Sequence, residues 1–380
     1  MSAPVGSRAP AWLPPSLAAL HRDALFVVLA LVLLAFSVVA PAGIAGYARR
    51  VDWPTIAALA GLLLLTTALE ASGALQRLGE ALVARLATER TLALALVAAA
   101  ALLSTVLTND VALFVVVPLT VSVCRLARLP ATRLVVFEAL AVNAGSTLSP
   151  IGNPQNLFLW QQWQVSFGRF VLEMAPLVAL LMALLLALTL LAFPARALGA
   201  HRLAEPTPLD RPLLATALLL YAPFLVATDL HHAGIALALL TAIVLAVRAR
   251  LLREVDWGLL LVFVLMFVDL RLLAELDPVR RAIAALGLDR AAHLYWTGIA
   301  LSQVVSNVPA TIALAEYSQD WRVIAHAVGV GGFGLAIGSL ANLIALRLLG
   351  ERRAWLAFHA WSLPFLALAA LAGWAVLFWT

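Results

Sequence analysis

Long apolar runs separated by short polar connections dominate the chain. Ala24 to Gly46, Thr55 to Glu70, Phe170 to Phe193 and Trp355 to Trp379 each approach the ~20 residues a helix needs to cross a bilayer. Leu213 to Thr228 and Ala233 to Val247 are shorter runs of the same kind. Other apolar stretches are interrupted. Thr108-Asn109-Asp110 divides Thr91 to Cys124, and Ser306-Asn307 divides Ala292 to Glu316. Gly145 to Pro154 holds two prolines and two glycines, so the span from Leu134 to Trp160 cannot be one regular helix. A second broken span carries Gly329-Val330-Gly331-Gly332-Phe333-Gly334 and then Gly338-Ser339-Leu340-Ala341-Asn342, glycines that also suit close helix packing. An unpaired backbone amide in hydrocarbon costs several kcal/mol, so irregular backbone at that depth must be buried in protein or line a wet cavity. The pattern predicts an all-α polytopic membrane protein whose chemistry lies at the interruptions.

The interruptions recur in order. Arg50-Val51-Asp52-Trp53 is echoed by Glu254-Val255-Asp256-Trp257, Leu107 to Val111 by Val305 to Pro309, and Gly152 to Leu157 by Gly338 to Leu343. Such ordered echoes are the mark of duplicated transporter folds. The arginines indicate which face each connection occupies, because cytoplasmic loops are enriched in positive charge. Arg77, Arg85 and Arg90 precede the first interrupted stretch and Arg125, Arg128 and Arg133 follow it, so its ends share one surface. The chain then passes Arg196, Arg202 and Arg211, and later Arg248, Arg250 and Arg253, which starts the second Asp-Trp span on the opposite face from the first. The second broken span returns to Arg347, Arg352 and Arg353. The expected organisation is an inverted-topology repeat, each half with a re-entrant helical hairpin and a discontinuous transmembrane helix. Residues 1–23 form a cytoplasmic N-terminal segment, 24–195 the first repeat, 196–232 a linker loop and linking span, and 233–380 the second repeat. The N-terminus is expected in the cytoplasm and the C-terminus in the periplasm of a bacterial inner membrane. Without a cleavage site after a short apolar core, Ala24 opens a retained span.

Composition narrows the function. Hydrophobic residues make up 64% of the 380 and charged ones 12%, against about 25% charged in soluble domains. The net charge of +5 is arginine alone, placed in connections as membrane anchors rather than as a nucleic-acid surface. One cysteine, Cys124, excludes a disulfide framework or thiolate cluster, and His231-His232 lacks ligand partners, so no structural metal is expected. The absence of a Gly-x4-Gly-Lys-Ser/Thr loop excludes ATP use by this chain, which encodes no ATPase subunit; no cofactor is expected beyond a coupling H+ or Na+. No His-Glu-x-x-His or nucleophile-base pair points to an enzyme, and no charged ring points to a passive channel.

The hairpin tips place hydroxyl and amide groups just ahead of an apolar helix, which is N-cap chemistry. A helix N-terminus in low dielectric also offers free amides and partial positive charge to an anion. Amide side chains and freed carbonyls can meanwhile hold Na+ or substrate. The candidate binding residues are Thr108, Asn109, Asp110, Gly145, Ser146, Thr147, Asn153, Asn156, Ser306, Asn307, Gly338, Ser339 and Asn342, with a Na+ position near Asn109 and Asn307. Asp110 is the candidate coupling acid, since a carboxylate at mid-depth is costly and usually functional. Glu70, Glu138, Asp229, Asp269 and Glu316 also fall in or near spans, Glu70 and Asp269 at the far ends where an interfacial position is expected.

Thr108-Asn109-Asp110-Val111-Ala112, Pro150 to Leu157, Ser306-Asn307-Val308-Pro309-Ala310 and Gly338 to Asn342 resemble the ion transporter superfamily. That grouping includes arsenite permeases, citrate-transporter-like proteins, dicarboxylate/sodium symporters and some sodium/proton antiporters. The chain is most similar to short bacterial anion permeases of the citrate-transporter-like group. The resemblance implies substrate and cations held between hairpin tips and broken helices, a moving part, and a scaffold able to form a homodimer. The dicarboxylate symporters have Ser-Asn-Thr at both tips; here Asp110 and Val308 stand in the third positions. An extra carboxylate near an anion site favours proton coupling or a neutral substrate such as arsenous acid. The expectation is ion-coupled transport of a small carboxylate or inorganic oxyanion, with arsenite/antimonite efflux and Na+/H+ antiport as alternatives.

Overall fold

The computed structural model describes residues 14, 17, 20, 24–83, 86–127, 129–198, 207–351 and 353–379. Nearly all of the segment expected at 1–23 lies outside the described residues, as do Arg85, Arg128, Arg202 and Arg352, which the charge pattern assigns to cytoplasmic loops. Among the described residues the secondary structure is helical, apart from one isolated bridge between Thr88 and Ala197.

Helix boundaries follow the local chemistry. α1 (Ala24–Val39) ends before Pro41, and a 3-10 segment, Pro41–Gly46, replaces the last six residues of the first apolar run. α2 (Tyr47–Arg50) leads to Asp52, which caps α3 (Trp53–Ala71) by accepting from the Thr55 N–H. α4 (Ala74–Val83) is amphipathic. Reciprocal Thr88 and Thr91 bonds open α5 (Glu89–Val106), and Leu107-Thr108 separate it from α6 (Asn109–Ala127). α7 (Ala131–Ser146) and α8 (Pro154–Gln162) flank the glycine- and proline-rich break, and α9 (Phe167–Ala192) follows.

Beyond the 196–210 connection come α10 (Arg211–Asp229), α11 (Ala233–Arg248), α12 (Leu251–Glu254) and α13 (Trp257–Glu275), the last capped by Asp256. α14 (Asp277–Ala284) is again amphipathic. α15 (Ala291–Val305) turns at Ser306 into α16 (Asn307–Ala315). α17 (Trp321–Gly331) and α18 (Leu340–Leu349) flank the second break, and α19 (Ala354–Trp379) closes the chain. Among the described residues six helices, α3, α5, α9, α10, α13 and α19, are long and apolar enough to cross a membrane, so this is a multi-pass membrane protein.

The buried apolar side chains form two cores. One is built by α5, α6, α7, α9, α15, α17, α18 and α19 around rings such as Phe137, Phe170, Phe333 and Phe365. The other is built chiefly by α3, α10, α11 and α13 around Phe224, Phe263 and Phe267. α8 and α16 have a face in each: Ala310 and Leu314 of α16 join the first core, Val308 and Ile312 the second. Glycines allow the tightest contacts within the first core. A Cβ on Gly145 of α7 would lie 2.2 Å from the Ala101 carbonyl oxygen of α5.

Candidate substrate and ion site

The first tip is tied to the first break. Asn109 donates its backbone N–H to the Gly152 carbonyl at 2.9 Å, and its side-chain oxygen accepts from the Asp110 N–H at 3.0 Å. Asn153 caps α8 by accepting from the Asn156 N–H at 2.9 Å, and donates to the Ser146 carbonyl at 3.1 Å. Asn156 donates to the carbonyls of Ser146, Thr147 and Ser149 at 3.2, 3.2 and 3.1 Å. These carbonyls lie at and just beyond the end of α7, where a helix leaves its acceptors without internal donors. Thr105 on α5 donates to the Gly145 carbonyl at 3.0 Å. Gly152 has no room for a side chain, since a Cβ would sit 2.3 Å from the Ser146 carbonyl oxygen.

The second tip and break use different residues for the same task. Ser306 turns the chain with a φ of 74°, which is rare outside glycine. Gln303 on α15 spans the second break: its amide donates to the Gly331 carbonyl at 2.7 Å, and its oxygen accepts from the Leu335 N–H at 2.8 Å. Ser362 of α19 accepts from the Gly334 N–H at 2.8 Å. Ser339 caps α18 by accepting from the Ala341 N–H at 3.3 Å, and a Cβ on Gly338 would lie 2.8 Å from the Gly331 carbonyl oxygen. The tip hydroxyls depart from the capping expectation. Those of Thr108 and Ser306 are buried without a hydrogen-bond partner, as is the side-chain oxygen of Asn156.

The two breaks meet. Asn143 of α7 donates to the Asn342 side-chain oxygen at 2.7 Å, and Asn342 donates to the Gly332 carbonyl at 2.9 Å. A Cβ on Gly332 would lie 3.1 Å from the Asn143 oxygen and 3.3 Å from the Asn307 amide nitrogen, which puts the second tip beside the same bridge. Thr147 packs on Gly329, where a Cβ would approach its methyl to 2.8 Å. Thr108, Asn109, Ser146, Thr147, Asn153, Asn156, Ser306, Asn307, Ser339 and Asn342 are all buried. The N-termini of α6, α8, α16 and α18 begin in this cluster, and the C-termini of α5, α7, α15 and α17 end in it. None of the ion pairs among the described residues involves a cluster member, so its polarity comes from amides, hydroxyls and helix ends. Asp110, half-buried, is the carboxylate at the first tip.

A family model described as citrate transporter matches residues 12–331. The chain belongs to the citrate transporter family. It is 46% identical over 364 residues to the inner membrane protein YbiR of Escherichia coli (strain K12), covering 96% of this chain and 98% of that one. It is 28% identical over 327 residues to the uncharacterized transporter MJ0456 of Methanocaldococcus jannaschii, covering 85% and 88%. A shorter match, 30% over 126 residues and 33% of this chain, is to the silicon efflux transporter LSI3 of Oryza sativa subsp. japonica. As a transmembrane transporter of the citrate transporter family the protein handles a small-molecule substrate and is not an enzyme.

Two amides that hold the cluster together, Asn143 and Gln303, are not among the candidates the sequence offers. Asn143 and Gln303 are single amides inside apolar helical stretches, and that isolation is the signal that could have found them. The acids divide. Asp229 accepts from the Trp160 indole at 3.2 Å and the Phe167 N–H at 2.6 Å, and Glu316 pairs with Arg271 at 2.9 Å, so both tie helices together. Glu70 is exposed, whereas Asp269 is 1% exposed with both oxygens unpartnered, because the helices packed on α13 cover its face. Glu138 is fully buried; the Thr120 hydroxyl donates to its Oε1, and Oε2 has no partner.

Proposed function

We propose that the chain is a secondary active transporter that moves a small anion, a carboxylate or inorganic oxyanion, across the inner membrane by alternating access, coupled to H+ or Na+. The observation that carries this reading is the meeting of four helix N-termini in a buried cluster that forms no ion pair among the described residues. Each N-terminus presents about half a positive charge and free amides, which suits an anion. The unpartnered oxygens of Thr108, Asn156 and Ser306, with the carbonyl ends of four more helices, suit a coupling cation. The name of the Escherichia coli relative supports the inner membrane.

Several features support an inverted duplication. Asp52 and Asp256 cap α3 and α13 alike, and the indoles of Trp53 and Trp257 donate to Ala48 and Leu252 carbonyls at 2.9 and 2.6 Å. α8, α16, α17 and α18 have 9, 9, 11 and 10 residues. At 1.5 Å per residue these lengths are about half of a ~30 Å hydrocarbon core, which supports discontinuous spans and a re-entrant second hairpin. The hairpins are unequal, since α6 has 19 residues and α16 has 9. The division into two cores supports one unit sliding against the other along α8 and α16.

A second reading is export of an uncharged oxyacid such as arsenous or silicic acid. The lack of a fixed cation in the cluster favours it, together with the name of the rice relative. Flux into liposomes holding the purified protein, with citrate, succinate, phosphate, arsenite and silicate under H+ or Na+ gradients, separates the two. Accumulation of one class is expected; no accumulation or counterflow of any of them refutes the transporter reading. Asp110→Asn is expected to abolish pH-gradient-driven transport and spare counterflow exchange, and unchanged driven transport would remove Asp110 from coupling.

A further inference from the structure

Glu138 lies outside the cluster and is used by nothing described so far. It sits on α7 between two contacts with α18 and the turn that follows it. At the outer end the Thr132 hydroxyl donates to the exposed Glu351, and at the inner end Asn143 donates to Asn342. At 1.5 Å per residue Glu138 is about 9 Å in from the first and about 7.5 Å short of the second. It therefore stands midway between the helix ends and the binding cluster. The side chain has no exposure to solvent, yet only one of its two oxygens is hydrogen-bonded.

A carboxylate sealed in this way needs a cation or a proton, because an isolated buried charge costs far more than a neutral acid with one unmade bond. Among the described residues no arginine or histidine pairs with Glu138. Cys124 on α6, one turn beyond Thr120, is a titratable group within electrostatic reach, and His326, buried on α17, is bonded to the Arg322 carbonyl. Glu89 and Arg90 start α5, Arg125 and Arg347 end α6 and α18, and Glu173 of α9 pairs with Arg322 of α17. His359 of α19 is engaged by the Ala336 N–H and the Trp355 carbonyl.

We propose that Glu138, held by Thr120, is a second proton-binding site of this transporter, loaded and emptied only when α6 parts from α7. On emptying, the Oε2–H bond breaks and its electron pair stays on the carboxylate. The proton passes to water entering along the α6–α7 seam from the Thr132–Glu351 end, and loading is the reverse. Thr120 continues to donate to Oε1, so one oxygen is fixed while the other exchanges. Because the ionised form is tolerated only when water reaches it, proton release is tied to one conformation, which is the requirement for coupling. Only this use of the proton rests on the transporter reading; the site itself does not.

The native Cys124, buried at 2% exposure on the same seam, reports the opening. The purified full chain in lipid nanodiscs is reacted with N-ethylmaleimide across a pH series, and each rate is divided by that of the detergent-denatured chain at the same pH. In the wild type the ratio is expected to rise by an order of magnitude or more as pH increases. In Glu138→Gln it is expected to stay flat, and in Thr120→Val the midpoint of the rise is expected to move. A flat wild type, an equal rise in Glu138→Gln, or an unmoved midpoint in Thr120→Val overturns the assignment. The Thr120→Val arm keeps the test decisive if Glu138→Gln fails to fold. If flux assays fail while this labelling pattern holds, the transport reading falls and the proton site stands.

Discussion

The bridge between the two helix breaks gives the sharpest test of the cluster's architecture. Asn143 and Asn342 are 4% and 0% exposed, and share one hydrogen bond of 2.7 Å across 199 positions of sequence. Asn143→Ala leaves the Asn342 oxygen buried without a donor, a loss of about 1–3 kcal/mol. Asn342→Ala should cost more, roughly 2–5 kcal/mol, because it also strips the donor from the Gly332 carbonyl while Asn143 keeps only its 3.0 Å bond to the Ala139 carbonyl. In the double variant the orphaned partner of the shared bond is gone, so the two losses overcount. A coupling of about 1–2 kcal/mol is expected, within the usual range for residues in contact. Denaturant unfolding of the four proteins, followed by tryptophan fluorescence, measures it. Additivity to within ~0.5 kcal/mol, or a larger loss from Asn143→Ala than from Asn342→Ala, would refute a direct bridge.

Other outcomes follow from the same geometry. Gly145→Ala should destabilise by about 1–3 kcal/mol or more, because the obstacle 2.2 Å away is the Ala101 backbone, whereas Gly168→Ala, with nothing within 4 Å, should be near neutral; paired thermal melts check both. Asn156→Ala removes the donor to three carbonyls and should cost at least as much as Asn342→Ala in the same denaturant assay, and a smaller loss would mean those carbonyls find other donors. The Leu213 backbone N–H and then Arg248 hold the Asp210 carboxyl below its ordinary 3.8, so its stabilisation is present above that value and lost as pH falls through the depressed one. Asp210→Asn should flatten that acid limb of the melting curve only slightly, since the pair is exposed, and an unchanged limb would mean the cap and ion pair contribute nothing.

Depth along the chain was legible in the sequence and direction around each helix was not. The interruptions at Thr108-Asn109-Asp110, Gly145 to Pro154, Ser306-Asn307 and Gly338-Ser339 fall where helices start or stop, because glycine, proline and short polar side chains act locally. Asp269 illustrates the limit. Its position near the end of an apolar run suggests the interface, but α13 is apolar on every side, so no periodicity in the sequence tells which face is covered. Asn143 was hidden for the same reason within α7, which is buried along almost its whole length, and Glu138, visible as an acid within a span, gave no sign of which helix covers it. The tip hydroxyls show a different failure. Thr108 and Ser306 have cap chemistry, but the chain geometry at the tips leaves both without a bond, and only the three-dimensional path reveals that.

The composition of the cluster constrains the order of binding under the proposed function. Amides and helix ends can receive an anion without a fixed cation, whose own burial would be costly in an empty site. Asp110 at the first tip changes the balance. If it is ionised when the site is empty, an anion arriving alone would bring a second negative charge into a buried, poorly screened cluster, where like charges repel more strongly than in water. A cation arriving first cancels that charge at the unpartnered oxygens of Thr108 and Asn156, and leaves the helix N-termini unopposed for the anion. Cation before anion is therefore the order this geometry supports. Steady-state flux with either species varied should show the cation lowering the KM for the anion, and a KM independent of the cation would place Asp110 outside the binding sequence.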